Sequence, residues 1–222
     1  MFIAIEGMDG VGKTSLSKKI AESYGFQYID NPMQKVLDIT PEKYNSICNL
    51  IWSKENEDIK LCFFMTGNLM TKYYGENIVT DRYALSSFYW DGNDNNLEIF
   101  KYFYQKEVIP DLTFILYADI DARINRIAKR DSNDPDLYDA HALNYGYDKM
   151  TQFANEVNMP YILINTDNKN ENEVFKYVSE IIMTFLTSKP EDVIDFCSKY
   201  NETFYNEKEE HLILKLKKKE SK

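Results

Sequence analysis

Five short runs of near-continuous apolar residues punctuate the chain: Phe2–Glu6, Phe26–Ile29, Asn77–Asp81, Leu112–Tyr117 and Tyr161–Asn165. Each is rich in β-branched or aromatic residues and gives way to turn or polar residues. Runs of this kind, with little polar alternation, predict strands covered on both faces. Helical patterns lie between them. Leu16, Ile20 and Tyr24 recur every fourth residue, and Val174, Tyr177, Val178, Ile181, Ile182 and Phe185 follow a period of about 3.6. Pro41–Ile51, Glu57–Tyr74, Asn95–Glu107 and Asp139–Val157 also read as helices. Strand and helix alternate, which predicts an α/β fold with a parallel sheet flanked by helices on both faces. The segment from Glu57 is apolar on most sides (Ile59, Leu61, Phe63, Phe64, Met65, Leu69), as expected of a helix that is central or at a subunit interface.

The pattern changes beyond Lys189. Pro190–Tyr200 predicts one more helix with Val193, Ile194 and Cys197 inward, and the chain ends in the charged run Lys217-Lys218-Lys219-Glu220-Ser221-Lys222. Residues 1–188 therefore read as one domain and 189–222 as a C-terminal helix with a charged tail. Of 222 residues, 36 are acidic and 26 basic, for a net charge of −10. The final 34 residues hold eight of each sign, so the excess lies in the first 188. Such a chain is not expected to track a nucleic-acid polymer, which needs a basic footprint. Three cysteines without metal-ligand spacing suit a reducing cytoplasmic setting. The N-terminus lacks the basic region of a signal peptide, and no apolar run approaches the roughly 20 residues of a membrane span, so no membrane partner is expected.

The first strand leads into Gly7-Met8-Asp9-Gly10-Val11-Gly12-Lys13-Thr14, followed by Ser15 at the start of a helical pattern. This is the G-x-x-x-x-G-K-[ST] phosphate loop in its proper strand–loop–helix context. Glycines let backbone N–H groups turn inward around an anion, and the helix that follows adds unpaired N–H groups and the positive end of its dipole. Gly7, Asp9, Gly10, Val11, Gly12, Lys13, Thr14 and Ser15 are therefore assigned to ATP. Lys13 reaches the β- and γ-phosphates, and the Thr14 hydroxyl ligates Mg²⁺. The signatures of a regulatory GTPase are missing: Asp-x-x-Gly occurs only within the loop itself, at Asp9 to Gly12, and Asn168-Lys169-Asn170 is followed by Glu171.

Two further groups carry chemistry. Asp81-Arg82-Tyr83 ends the third strand, at the edge where open α/β sheets form their ligand crevice. Asp81 suits the Mg²⁺ shell or a hydrogen bond from substrate, and the fork of Arg82 suits phosphate. A structural ion pair closing the strand is the plainer alternative. The other three arginines, Arg123, Arg126 and Arg130, share one helix face while Ile120, Ile124 and Ile127 share another. Cations on such a face would stabilise a phosphoryl group in flight. A solvated face is the alternative, most of all for Arg123. The polar run Asp131-Ser132-Asn133-Asp134-Pro135-Asp136 that follows suits a closing lid, placed at about residues 130–142.

Together these residues resemble the thymidylate kinase family of P-loop nucleoside monophosphate kinases. The likeness is carried by residues 2–14, by Asp81-Arg82-Tyr83-Ala84-Leu85-Ser86, by Pro110-Asp111-Leu112-Thr113-Phe114 and by Arg126-Ile127-Ala128-Lys129-Arg130. The resemblance implies a P-loop kinase fold with a five-stranded parallel sheet, a homodimer, ATP with Mg²⁺ as donor, and a deoxynucleoside monophosphate such as dTMP as acceptor. It implies Lys13, Asp81, Arg82, Arg126 and Arg130 as catalytic residues and Thr14 and Asp81 at the metal. It further implies Asp9 at the acceptor sugar, Arg82 at the acceptor phosphate and Phe63 stacked on the base, with Asn68 and Tyr83 also at the substrate. The chain departs from the family's pattern after the second strand, where Asn31-Pro32 follows Asp30. It departs again on the third helix, where Gly67 and Asn68 stand in place of an arginine. A lid that is acidic beyond Arg130 is the third departure. These differences leave a deoxynucleoside kinase, with Asp30 or Asp81 as general base, as the alternative. A non-catalytic nucleotide-binding regulator is a second.

Overall fold

A computed structural model of the chain describes residues 1–54, 56–106, 109–139, 146–189 and 192–208. Five strands form one parallel sheet: β1 (Phe2–Gly7), β2 (Gln27–Asp30), β3 (Ile78–Asp81), β4 (Leu112–Tyr117) and β5 (Ile162–Asn165). Their order is β2-β3-β1-β4-β5, so β1 is central and its neighbours are β3 and β4. All five lie where the apolar runs placed them, within a residue at either end.

Side chains alternate across the sheet, as the pleat requires. Phe2 and Ala4 of β1, with Ile29, Ile78, Ile115, Tyr117 and Leu163, face one core layer. Ile3 and Ile5, with Val79, Leu112, Phe114, Leu116, Ile162 and Ile164, face the other. Helices α1 (Lys13–Tyr24), α9 (Glu171–Thr187) and α10 (Val193–Lys208) cover the second layer, which holds Leu16, Ile20, Val178, Ile181 and Cys197. Helices α4 (Glu57–Met70), α5 (Ala84–Asp91), α6 (Leu97–Tyr104) and α8 (Tyr147–Glu156) cover the first. The short helix α2 (Pro32–Leu37), helix α3 (Pro41–Trp52) and the arginine helix α7 (Ile120–Arg130) complete the architecture.

The departures from expectation are local. The helix from Glu57 ends at Met70 and tightens into a 3₁₀ turn over Thr71–Tyr73. The helix expected from Asp139 begins at Tyr147, and residues 140–145 lie outside those described. Helices α2 and α5 have only six and eight residues, too few for a period to show. α4 is central, packed against α2, α3 and α5, with Leu61 and Met65 fully buried. The C-terminal helix folds back on the sheet. Cys197 is buried, and Asn201 donates its amide to Tyr161 O at 2.9 Å while accepting Leu163 N at 2.9 Å. The Asn201 amide therefore supplies backbone partners for β5 at the sheet edge. The charged tail lies outside the described residues.

Candidate functional site

The carboxyl ends of β1, β3 and β4 converge on the loop between Gly7 and Lys13. Gly10 matters because it lies against α7: a Cβ there would sit 2.8 Å from Arg123 O, with φ at +82° besides. The loop thus presses directly on the arginine helix. Lys13 is buried, donates to Met8 O at 2.9 Å, and lies 3.7 Å from Asp9 Oδ1. Burial, then the nearby Arg82 cation, pushes its pKa below the usual lysine range. Desolvated ammonium groups of this kind make strong phosphate ligands.

Thr14 donates its hydroxyl to Asp81 Oδ2, and Asp81 Oδ1 is buried without a hydrogen-bond partner among the described residues. A hydroxyl beside a half-satisfied carboxylate is a hard-oxygen pair that fits Mg²⁺. The alternative of a purely structural strand-closing pair for Asp81 leaves that second oxygen unexplained.

Arg82 takes a left-handed backbone, φ +74°, which is costly for a residue with a side chain and is typical of functional turns. Its Nη2 meets Asp9 Oδ1 at 2.5 Å, while Nη1 is buried and has no partner among the described residues. Burial works against both charges, but the cations around Asp9, led by Arg82 and Lys13, hold its carboxyl below the ordinary value. The guanidinium thus keeps donors in reserve beside the phosphate loop.

The arginine helix is less uniform than its sequence face suggests. Arg123 is fully buried and donates Nε–H to Asp9 O at 2.8 Å, so the solvated reading fails for it. Arg126 spans from Gly10 O at 3.3 Å to Thr166 Oγ1 at 3.0 Å and also donates to Thr166 O. It ties the phosphate loop to the turn after β5. Arg130 is the exposed one, paired with Asp134 and 3.7 Å from Asp136. The acidic lid segment therefore holds the arginine placed nearest the lid.

A cleft of about 580 Å³ opens beside this cluster, between α2, α3, α4 and α5. Asp9, Asn68, Arg82 and Tyr83 line it, as expected of substrate contacts. Phe64 lines it in place of Phe63, which instead packs edge-on against Phe64 at 5.1 Å. A one-residue shift on a helix turns a side chain by about 100°, beyond what the apolar pattern of this segment resolves. Gly67 faces α2, where a Cβ would lie 2.5 Å from Met33 N. An arginine at that position would collide with backbone, so its absence is dictated by the packing of α2 on α4. Sequence reasoning also passed over Glu6, Thr166 and Asp136. Glu6 had a signal: it is the one charged residue of β1, whose residues are all buried, and such a carboxylate needs partners.

Comparison with known proteins bears on the fold and the family resemblance. The family model described as Thymidylate kinase matches residues 71–178. A probable thymidylate kinase of Methanocaldococcus jannaschii is 28% identical over 193 residues, covering 82% of this chain and 97% of its own. Among solved structures, a thymidylate kinase from Candida albicans superposes with a TM-score of 0.59 at 17% identity, over 82% of this chain and 91% of its own. A deoxyadenosine kinase from M. mycoides superposes with a TM-score of 0.58 at 18% identity, over 83% of this chain and all of its own. The resemblance to thymidylate kinases and the P-loop kinase fold are both borne out. The chain is a phosphotransferase of the nucleotide-kinase class.

Proposed function

We propose that the chain transfers the γ-phosphoryl group of ATP to a deoxynucleoside monophosphate, with dTMP the first acceptor to test, as a cytoplasmic homodimer. The observation that carries this reading is Arg82: a guanidinium clamped by Asp9, with a buried Nη1 left for an oxyanion, beside Lys13. A monophosphate acceptor brings its own anionic nucleophile, so the site needs cations and orientation more than a base. The P-loop amides and Lys13 would hold the donor phosphates, and Arg82 would draw the acceptor phosphate toward them. Arg130, released from Asp134, would meet the moving group. Thr14 and Asp81 would hold Mg²⁺, which would neutralise phosphate charge. Phe64 offers the base an aromatic face, and Asn68 a polar edge.

A second reading, phosphorylation of a free deoxynucleoside, has one observation in its favour. Burial and the neighbouring Asp81 raise the pKa of Asp30, at the end of β2, as a general base would need. A coupled ADP-release assay across dTMP, dUMP, other monophosphates and free deoxynucleosides separates the two. Turnover with monophosphates supports the proposal, and turnover confined to free nucleosides replaces it with the second reading. Lys13→Ala must abolish either activity while leaving the circular dichroism spectrum unchanged.

A further inference from the structure

We propose that Glu6 is a positioning residue: from the penultimate position of β1, just before the phosphate loop, it supplies the missing N-terminal cap of α5 and so fixes Arg82 in its working conformation. This rests on the reading of Arg82 given above. Helix α5 begins after Tyr83, whose side chain makes no capping bond, and its first turn contains no acidic residue. The first N–H groups of a helix need acceptors from somewhere. Glu6 provides them from another strand. Its Oε1 accepts Leu85 N at 2.9 Å, and its Oε2 accepts Ser86 N at 3.1 Å together with the Ser86 hydroxyl. The carboxylate is fully buried; burial raises its pKa, and these bonds, with the Tyr83 backbone and the nearby Arg82 cation, work against that rise in place of water. Charge at a helix N-terminus is also favoured by the dipole.

The arrangement has a consequence for Arg82. Its N–H donates to Ile5 O at 2.9 Å, which extends the β1–β3 ladder one step, and its φ of +74° then swings the chain into α5. Arg82 is thus held on one side by the strand bond from Ile5 and on the other by the Glu6 cap. A left-handed arginine persists only when its surroundings over-determine it. Glu6 is adjacent to Gly7, the first residue of the phosphate loop, and Ser86, Ser87, Trp90 and Asp91 of α5 line the acceptor cleft. One side chain therefore joins the donor loop to the acceptor wall.

The test is a double-mutant cycle of Glu6→Gln and Arg82→Ala, read by steady-state kinetics. Glu6→Gln alone is expected to lower kcat by on the order of tenfold or more and to leave the KM for ATP within about threefold. In the Arg82→Ala background the same change is expected to cost less than about twofold. An equal cost in both backgrounds overturns the proposal, because a merely structural weakening does not depend on Arg82. Should Glu6→Gln fail to fold, Glu6→Asp keeps the charge one methylene short and enters the same cycle. If the parent phosphorylates no acceptor, the functional reading falls instead. The positioning role is then read from the ¹⁵Nε resonance of Arg82: a shift in Glu6→Gln supports it, and an unmoved resonance overturns it.

Discussion

Asp9 and Arg82, 73 positions apart in the chain, close a carboxylate–guanidinium contact of 2.5 Å. One residue belongs to the loop proposed to hold donor phosphates and the other to the strand end beside the cleft proposed for the acceptor. Part-buried pairs of this kind are costly to half-remove, since the surviving charge is left without a partner. The geometry also uses the shape of arginine: one nitrogen engages Asp9 while another stays in reserve. An ammonium offers no such fork. Arg82→Lys is therefore expected to lower kcat by on the order of 100-fold, comparable to loss of one oriented donor to a developing oxyanion. Steady-state assays at saturating ATP check this, and retention of half the parent rate would contradict it.

The same pair sets a pH dependence. Burial pushes the Asp9 carboxyl up, but Arg82, Lys13, Arg123 and Arg130 more than offset that and leave it below its ordinary 3.8. A carboxyl depressed in the folded state stabilises the fold where it is ionised. Its contribution is complete above the unfolded value and drains away as pH falls through the folded one. The melting temperature of the parent should exceed that of Asp9→Asn near neutrality. The gap should close progressively below about pH 4. Thermal melts of both proteins across that window decide the matter; a constant gap is the contrary result.

Asp136 sits in the cleft, where burial, followed by the nearby Asp9 and Asp134, raises its pKa. On the proposed reading it adds to the carboxylates that an anionic acceptor would meet. Asp136→Asn is expected to lower the KM for a monophosphate by about threefold while leaving that for a free nucleoside unchanged. The gain should shrink as ionic strength rises, because the repulsion it removes is screened. Acceptor kinetics at low and high salt measure both effects.

The strands were legible because both faces of a parallel sheet are buried, so Ile3, Ile5, Phe114 and Leu116 stand out without any partner being known. The phosphate loop was legible because its backbone geometry admits few residue types. What escaped depends on contacts between distant segments. Nothing local marks Arg123 as buried and Arg130 as exposed on one helix face, since the difference comes from Gly10 lying under Arg123. Phe64 displaces Phe63 from the cleft by a rotation that the apolar pattern leaves open. Glu6 needed the N-terminus of α5, 79 residues away, before its charge made sense.

Residues after 189 also read differently once folded. Asn201 supplies both an acceptor to Leu163 N and a donor to Tyr161 O. Asn201→Ala removes two bonds to edge-strand backbone and is expected to destabilise the fold by about 1–3 kcal/mol. Amide exchange at Leu163 should quicken with the loss of its acceptor. An unchanged exchange rate and melting temperature would show that β5 does not depend on α10.

Gly67 explains why the cleft proposed for the acceptor has few cations. A Cβ at this position would lie 2.5 Å from Met33 N and 2.7 Å from Met33 Cα, so the obstacle is backbone rather than a side chain able to move aside. Overpacking of that kind costs roughly 1–3 kcal/mol. Gly67→Ala is therefore expected to lower the melting temperature, and Gly67→Arg to lower it further without improving the KM for a monophosphate. The guanidinium cannot reach the cleft until α2 has shifted off α4. The cleft's remaining cations are Arg82 and Lys60, the latter one turn from Phe64 on α4. Lys60→Ala should then raise the KM for a monophosphate by several-fold with little change in stability, since the lysine is surface-reachable and its loss leaves no cavity. If Gly67→Arg instead tightened acceptor binding at full stability, α2 would have to be free to move, and the account of the cleft as a preformed acceptor site would fail.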